Sequence, residues 1–256
     1  MPTSRTVRNI VAAIITLISA SLIVLIGAAG WGMRADGFRS ATNLKFLGIA
    51  FAMYAQDDYY PELSPEPGRL IFDLDAIYPE YQSDLTFLIS PADPDHRRDH
   101  SAPTEAYVLE NSSYWYLGYV VWDDETVEAF ADAYRQRIEQ GTGFGSDLPV
   151  NLPIERLTRL DGMLRRHGYF TDEQQEQPKW EFTRHPDAEI PVLIERPHPY
   201  PGPLGLWLGI PIPLSKPVTG GTVLYKDGHT EFIPYPGKWP MTERTCNTLS
   251  ALSTES

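Results

Sequence analysis

Residues 10–29, IVAAIITLISASLIVLIGAA, run for twenty positions without a charged side chain. As a helix rising about 1.5 Å per residue, such a run measures about 30 Å, the thickness of a bilayer's hydrocarbon core. A helix of a soluble core keeps a polar solvent face and interrupts such a run with charge. The run therefore predicts a single membrane span at 10–29 in contact with lipid, a tail at 1–9 and a domain at 30–256. Arg5 and Arg8 lie on the tail, which places the N-terminus in the cytoplasm and the C-terminal domain outside it, as a single-pass protein of the cell membrane. The small residues at 27–30 make signal-peptide cleavage the competing reading.

Beyond the run the chain is acidic. Two of its 21 basic residues and none of its 34 acidic ones precede residue 30, so the rest is more negative than the whole, whose formal charge is −13. Such a surface repels nucleic-acid phosphate, and no nucleic-acid partner is expected. The single cysteine, Cys246, excludes an intrachain disulfide and a cysteine-rich zinc site. The 23 prolines and 19 glycines predict many turns between short elements.

Periodicity places those elements. Leu44, Leu47, Phe51 and Tyr54 recur at helical spacing from Ser40 onward, and Asp57, Asp58 and Pro61 end the run. A Pro/Glu/Gly loop at 61–69 precedes a short helix expected at 70–78, and Leu85–Ile89 reads as a strand. Residues 90–105 read as a charged loop. Residues 113–121 are aromatic and β-branched, as in a strand. Asp123 or Asp124 caps a helix reaching about Gln140, with Val127, Phe130, Tyr134 and Ile138 along one stripe. GTGFG at 141–145 is a loop, and 154–167 reads as a second amphipathic helix. Residues 190–194 form a strand, whereas the proline-rich 197–217 cannot be a central strand throughout. Residues 222–225 and 230–233 flank Lys226-Asp227-Gly228-His229, a hairpin signal because the Asp-Gly turn needs positive φ. A closing helix is expected at 242–252.

Two segments carry a resemblance. Ala41-Thr42-Asn43-Leu44-Lys45-Phe46-Leu47-Gly48-Ile49-Ala50, continued by Tyr54-Ala55-Gln56-Asp57-Asp58 and Pro61, resembles the SNLKQLGLALxMYAxDxxxxxP stretch of pilin-like proteins with a prepilin-type N-terminus. Gly220-Gly221-Thr222-Val223-Leu224-Tyr225-Lys226-Asp227-Gly228-His229-Thr230-Glu231-Phe232 is similar to that family's GGxVLYxDGHVEF end. The family includes the major pseudopilins of type II secretion and the type IV pilins. The resemblance implies an α+β fold, with one long N-terminal helix (membrane span plus amphipathic half) packed on a small antiparallel sheet. Residues 123–187 would be a helical insertion. Asn43, Leu44, Lys45, Asp227, Gly228 and His229 would be structural motif positions. The family's Gly-Phe-Thr-Leu-Ile-Glu signature is missing: Arg8-Asn9-Ile10 opens the run, and no Glu lies within it.

Candidate chemistry is sparse. Asp93, Asp95, His96, Asp99 and His100 fall within eight positions and carry divalent-metal donor types, but they match no EF-hand and read as a solvated loop. Asp227 and His229 suit acid–base work but are explained by the turn. Ser112 and Ser113 lack a nucleophile-elbow context. His198, Tyr200 and Trp207 read as aromatics packing over the core, with a recognition surface as the other reading. Asp57 and Asp58 match no calcium ligand set. No catalytic residue, metal or cofactor is expected. The functional expectation is a non-enzymatic, membrane-anchored, pseudopilin-like protein acting through partners of a secretion or pilus-like assembly. The alternative is a membrane-tethered enzyme or ligand- or metal-binding domain.

Overall fold

The computed structural model describes residues 38–55, 60–93, 103–140, 186–200 and 218–253. Helix α1 occupies 38–54. Its inner stripe, Leu44, Leu47 and Phe51, is fully buried, as the periodicity predicts. Phe51 meets Phe72 edge-on at 4.9 Å between ring centroids and Tyr116 at 5.4 Å. Each such ring contributes about 1.5–3 kcal/mol by leaving water. A Cβ on Gly48 would stand 3.1 Å from the Leu224 side chain, so the bare glycine lets the sheet lie close against α1.

The sheet has five strands, all antiparallel: β1 (Tyr114–Tyr116), β2 (Pro191–Glu195), β3 (His198–Tyr200), β4 (Val218–Tyr225) and β5 (Thr230–Pro234). Strand β4 is its axis. On one edge it pairs with β5, Thr222 opposite Phe232. On the other it takes β2 at Val223–Tyr225 and then β3 at Val218–Gly220. Strand β1 closes the far side of β2, Tyr114 opposite Glu195. Every residue of β2 is buried, which fits a strand covered on both faces. The predicted hairpin is present, and Gly228 takes φ +86° in its turn.

Three further helices surround the sheet: α2 (Glu105–Asn111), α3 (Asp124–Gln140) and α4 (Glu243–Leu252). Thr104 and Thr242 cap α2 and α4 through their hydroxyls, and the Asp123 carboxylate accepts from Thr126 N at 2.8 Å at the start of α3. Val127, Phe130 and Tyr134 of α3 are buried in the same core as α1.

Several expectations need correction. Residues 85–88 form a 3-10 helix, not a strand, because the Asp84 side chain accepts from Thr86 N at 2.9 Å and closes a turn. The helix expected at 70–78 shrinks to a 3-10 turn at Leu74–Ala76, since Phe72 instead bridges Leu63 in extended pairing. The strand expected at 113–121 stops at Tyr116, ahead of Gly118 at φ +72°.

The architecture itself is also corrected. Helices and an antiparallel sheet are both present. The long helix with a membrane-spanning half gives way to four shorter helices; of the insertion expected at 123–187, α3 and residues 186–187 are described and 141–185 lie outside the described residues. Among the described residues no helix is long and apolar enough to cross a membrane. The described part of α1 carries Arg39, Asn43 and Lys45, α3 carries five acids and two arginines, and α4 has ten residues, about 15 Å. The transmembrane and single-pass descriptions, and the cell-membrane location with a cytoplasmic N-terminus and an extracytoplasmic domain, therefore do not stand. The run at 10–29 on which they rested lies outside the described residues, as do the helix expected at 154–167 and the loop at 141–145.

Candidate functional site

The polar centre of the molecule is Glu195, the last residue of β2, with no exposed surface. A carboxylate taken out of water needs hydrogen-bond donors in its place. Four converge here. Oε1 accepts from Ser40 Oγ of α1 at 2.8 Å, from Ser90 Oγ, and from the Tyr200 hydroxyl of β3 at 2.9 Å. Oε2 accepts from Thr222 N of β4 at 2.7 Å. The Tyr114 hydroxyl stands 3.5 Å from Ser40 Oγ. Burial, and after it the Glu195 charge, pushes the phenols of both Tyr114 and Tyr200 far above the ordinary tyrosine range. Ser40, Ser90 and Tyr114 are no more than 1% exposed, so the cluster is closed to a solute. It ties α1, the Ser90 turn, β3 and β4 to one carboxylate on β2.

A second polar group adjoins it. Asp93 Oδ2 accepts from Ser113 Oγ at 2.9 Å and lies 3.6 Å from His198 Nε2. Ser113 Oγ in turn accepts from Ser90 N at 2.9 Å. Serine, aspartate and histidine meet here in the wrong order for nucleophilic catalysis, because the carboxylate holds the serine and the imidazole does not. Ser112 Oγ donates to the Tyr114 carbonyl at 3.2 Å.

Of the residues singled out from sequence, Asp93, Ser113 and His198 meet in this second group and Tyr200 joins the first, whereas the motif positions lie apart from both. Asn43 donates to the Ile89 carbonyl at 3.4 Å, Leu44 is core, and Lys45 is exposed. Asp227 Oδ1 accepts from His229 N at 2.9 Å, and the His229 ring stacks on Tyr225 at 4.4 Å. Asp227, Gly228 and His229 thus form a turn and its lid. His198 and Tyr200 lie buried in β3. Trp207, Asp57, Asp58, Asp95, His96, Asp99 and His100 lie outside the described residues. Among the described residues no three His, Cys, Asp or Glu side chains are grouped to hold a metal ion.

Sequence reasoning missed Glu195, Ser40 and Ser90. One signal was available for the first: an acid closing the apolar run Ile190–Ile194, which already reads as a buried strand. Compared with protein-family models, with curated proteins and with solved structures, the chain matches none.

Proposed function

We propose that this chain is a non-enzymatic interaction protein, a pilin-like head that docks on a partner subunit of a secretion or pilus-like assembly through the outer face of α1. The observation that carries this is an apolar stripe. Phe38, Phe46, Ile49 and Met53 are 77%, 48%, 57% and 49% exposed. Their spacing puts them on one helix face, opposite the buried Leu44, Leu47 and Phe51. Phe46 is braced from one side by Phe87, with ring centroids 5.2 Å apart.

Charge specifies the partner. Arg39 and Lys45 rim the stripe, and 38–54 contains no acid, although the chain as a whole is strongly negative. The fitting occupant is a protein surface with an apolar centre and an acidic rim. The resemblance of 41–61 and 220–232 to pilin-like proteins supports a subunit role. So does the closure of the buried polar cluster, which leaves no acid–base pair open to substrate there.

The test is a photoreactive residue at Ile49 in full-length protein in its native cells, with an exposed control at Glu80. A cross-link from position 49 to one partner, at a peptide rich in apolar and acidic residues and lost in Phe46→Asp, is the expected result. Equal labelling from both positions, or cross-links only to a second copy of this chain or to lipid, overturns the reading.

A further inference from the structure

A cavity of about 40 Å³ lies between the 68–71 loop, the end of α2 and the start of β1. By the measure of one probe sphere per water it holds about three waters, room for a small planar head group and no more. Arg69 and Arg196 both line it, with Glu110, Ser112, Tyr114 and Ser253.

Neither guanidinium is neutralised by a hydrogen-bonded carboxylate among the described residues. Arg69 stands 3.8 Å from Glu66 and 3.9 Å from Glu110, beyond hydrogen-bond reach, and both acids are more than half exposed. Both arginines are half-buried. The Arg196 Nε is shut off from solvent and has no hydrogen-bond partner, and its guanidinium carbon lies 5.8 Å from the centroid of the Trp115 ring. Burial lowers its proton affinity; attraction to Asp93 opposes this, and repulsion from Arg69, smaller than either, adds to the burial. Asp93 is itself engaged by Ser113 and lies close to His198, and it does not line the cavity. A buried, unsatisfied guanidinium nitrogen beside a second guanidinium is costly, and a bound anion offsets both terms.

We propose that this cavity binds a carboxylate group, held in the forks of Arg69 and Arg196. A planar carboxylate matches the guanidinium fork, and among the lining residues two arginines stand against one acid, Glu110, with Glu66 beside Arg69 outside the lining. A phosphate dianion would bring a second negative charge close to Glu110 and to Glu66 beside Arg69. The site is separate from the α1 stripe and does not rest on the docking reading.

The test is a titration of the full-length chain at constant ionic strength, followed by backbone amide shifts at Arg69, Ser112 and Arg196. The probes are acetate, N-acetyl-dialanine with a free terminus, its amide, and inorganic phosphate. Saturable shifts with acetate and with the free-terminus peptide, absent with the amide, are expected. Acetate as the tighter of the two indicates a free small carboxylate, and the peptide as the tighter a chain terminus. Arg69→Gln should weaken binding about tenfold or more, and Arg69→Lys, which keeps the charge and loses the fork, by less. No saturation, tighter binding of phosphate, or unchanged affinity in both variants overturns the assignment.

Discussion

Ser40 and Glu195 lie 155 positions apart in sequence and meet in the core, Ser40 Oγ donating to Glu195 Oε1 at 2.8 Å. That bond joins the first described helix to the middle of the sheet. It belongs to a set in which Glu195 accepts from donors on α1, the Ser90 turn, β3 and β4.

Glu195→Ala should cost about 3–5 kcal/mol, because it strands several buried donors at once. Glu195→Gln should cost only about 1–2 kcal/mol. The three hydroxyls at Oε1 can rotate to accept from an amide NH2, whereas Thr222 N can only donate, so the glutamine oxygen must face Thr222. Urea midpoints of the two variants check the ranking. Equal losses would show that the negative charge matters more than the donor pattern.

The glycines of the 220–232 motif serve different ends. A Cβ on Gly221 would meet the Glu195 carbonyl oxygen at 2.5 Å and Met241 Cε at 2.7 Å, and a strand carbonyl cannot step aside. Gly221→Ala should therefore cost about 2–3 kcal/mol. At Gly228 nothing lies within 4 Å, and the constraint is its φ of +86°. Gly228→Ala should cost only about 1–2 kcal/mol, from backbone strain alone. Thermal unfolding of the pair separates a packing penalty from a conformational one.

The elements legible in sequence are those whose signal is local. The Asp227-Gly228 turn, the cap of α3 and the Val127–Phe130–Tyr134 stripe each depend on neighbours within a few positions. Local chemistry also misled: the apolar run 85–89 has strand composition, but Asp84 two residues before Thr86 turns it into a 3-10 helix. The Glu195 cluster was illegible for the opposite reason. Its Ser40, Ser90 and Thr222 partners lie 155, 105 and 27 positions away, and no periodicity links a serine on a helix to an acid on a strand. The exposed stripe on α1 was in plain view as apolar residues off the predicted inner face. Exposure could be assigned only once Leu44, Leu47 and Phe51 were seen to fill the core.

Helices α3 and α4 are joined at one carboxylate. Asp124 Oδ1 accepts from the hydroxyls of Thr242 and of Thr245, the latter at 2.6 Å and only 1% exposed. Asp124→Ala should cost about 1–3 kcal/mol, since the Thr245 hydroxyl loses a charged acceptor where water cannot replace it. The neighbouring Arg244–Glu128 pair is exposed on both sides, and Arg244 holds the Glu128 carboxyl below its usual range. Arg244→Ala should change stability less than Asp124→Ala and lose its effect at high salt. A double-mutant cycle of Asp124→Ala with Thr245→Val, in low and high salt, checks both.

Besides the Tyr114 and Tyr200 phenols of the Glu195 cluster, three buried acids titrate late and help to set an alkaline limit. Burial, with a smaller push from Asp124, raises the Cys246 thiol from 9.0 to about 12. Burial likewise raises the Tyr134 and Tyr225 phenols from 10.0 to about 12. In the unfolded chain all three ionise earlier, so each favours the folded state fully below its unfolded value. That contribution falls as pH climbs through the window from about 9 to 12, the thiol's share first and the phenols' from about 10. Urea midpoints should decline from about pH 9 upward, and Cys246→Ala should flatten the first part of the decline while leaving the part above pH 10 in place. Because the thiol is only 3% exposed and is protonated near pH 8, a thiol-specific reagent should label it there only at the rate of unfolding. Rapid labelling of the folded chain at that pH would mean that α4 opens without the rest of the domain.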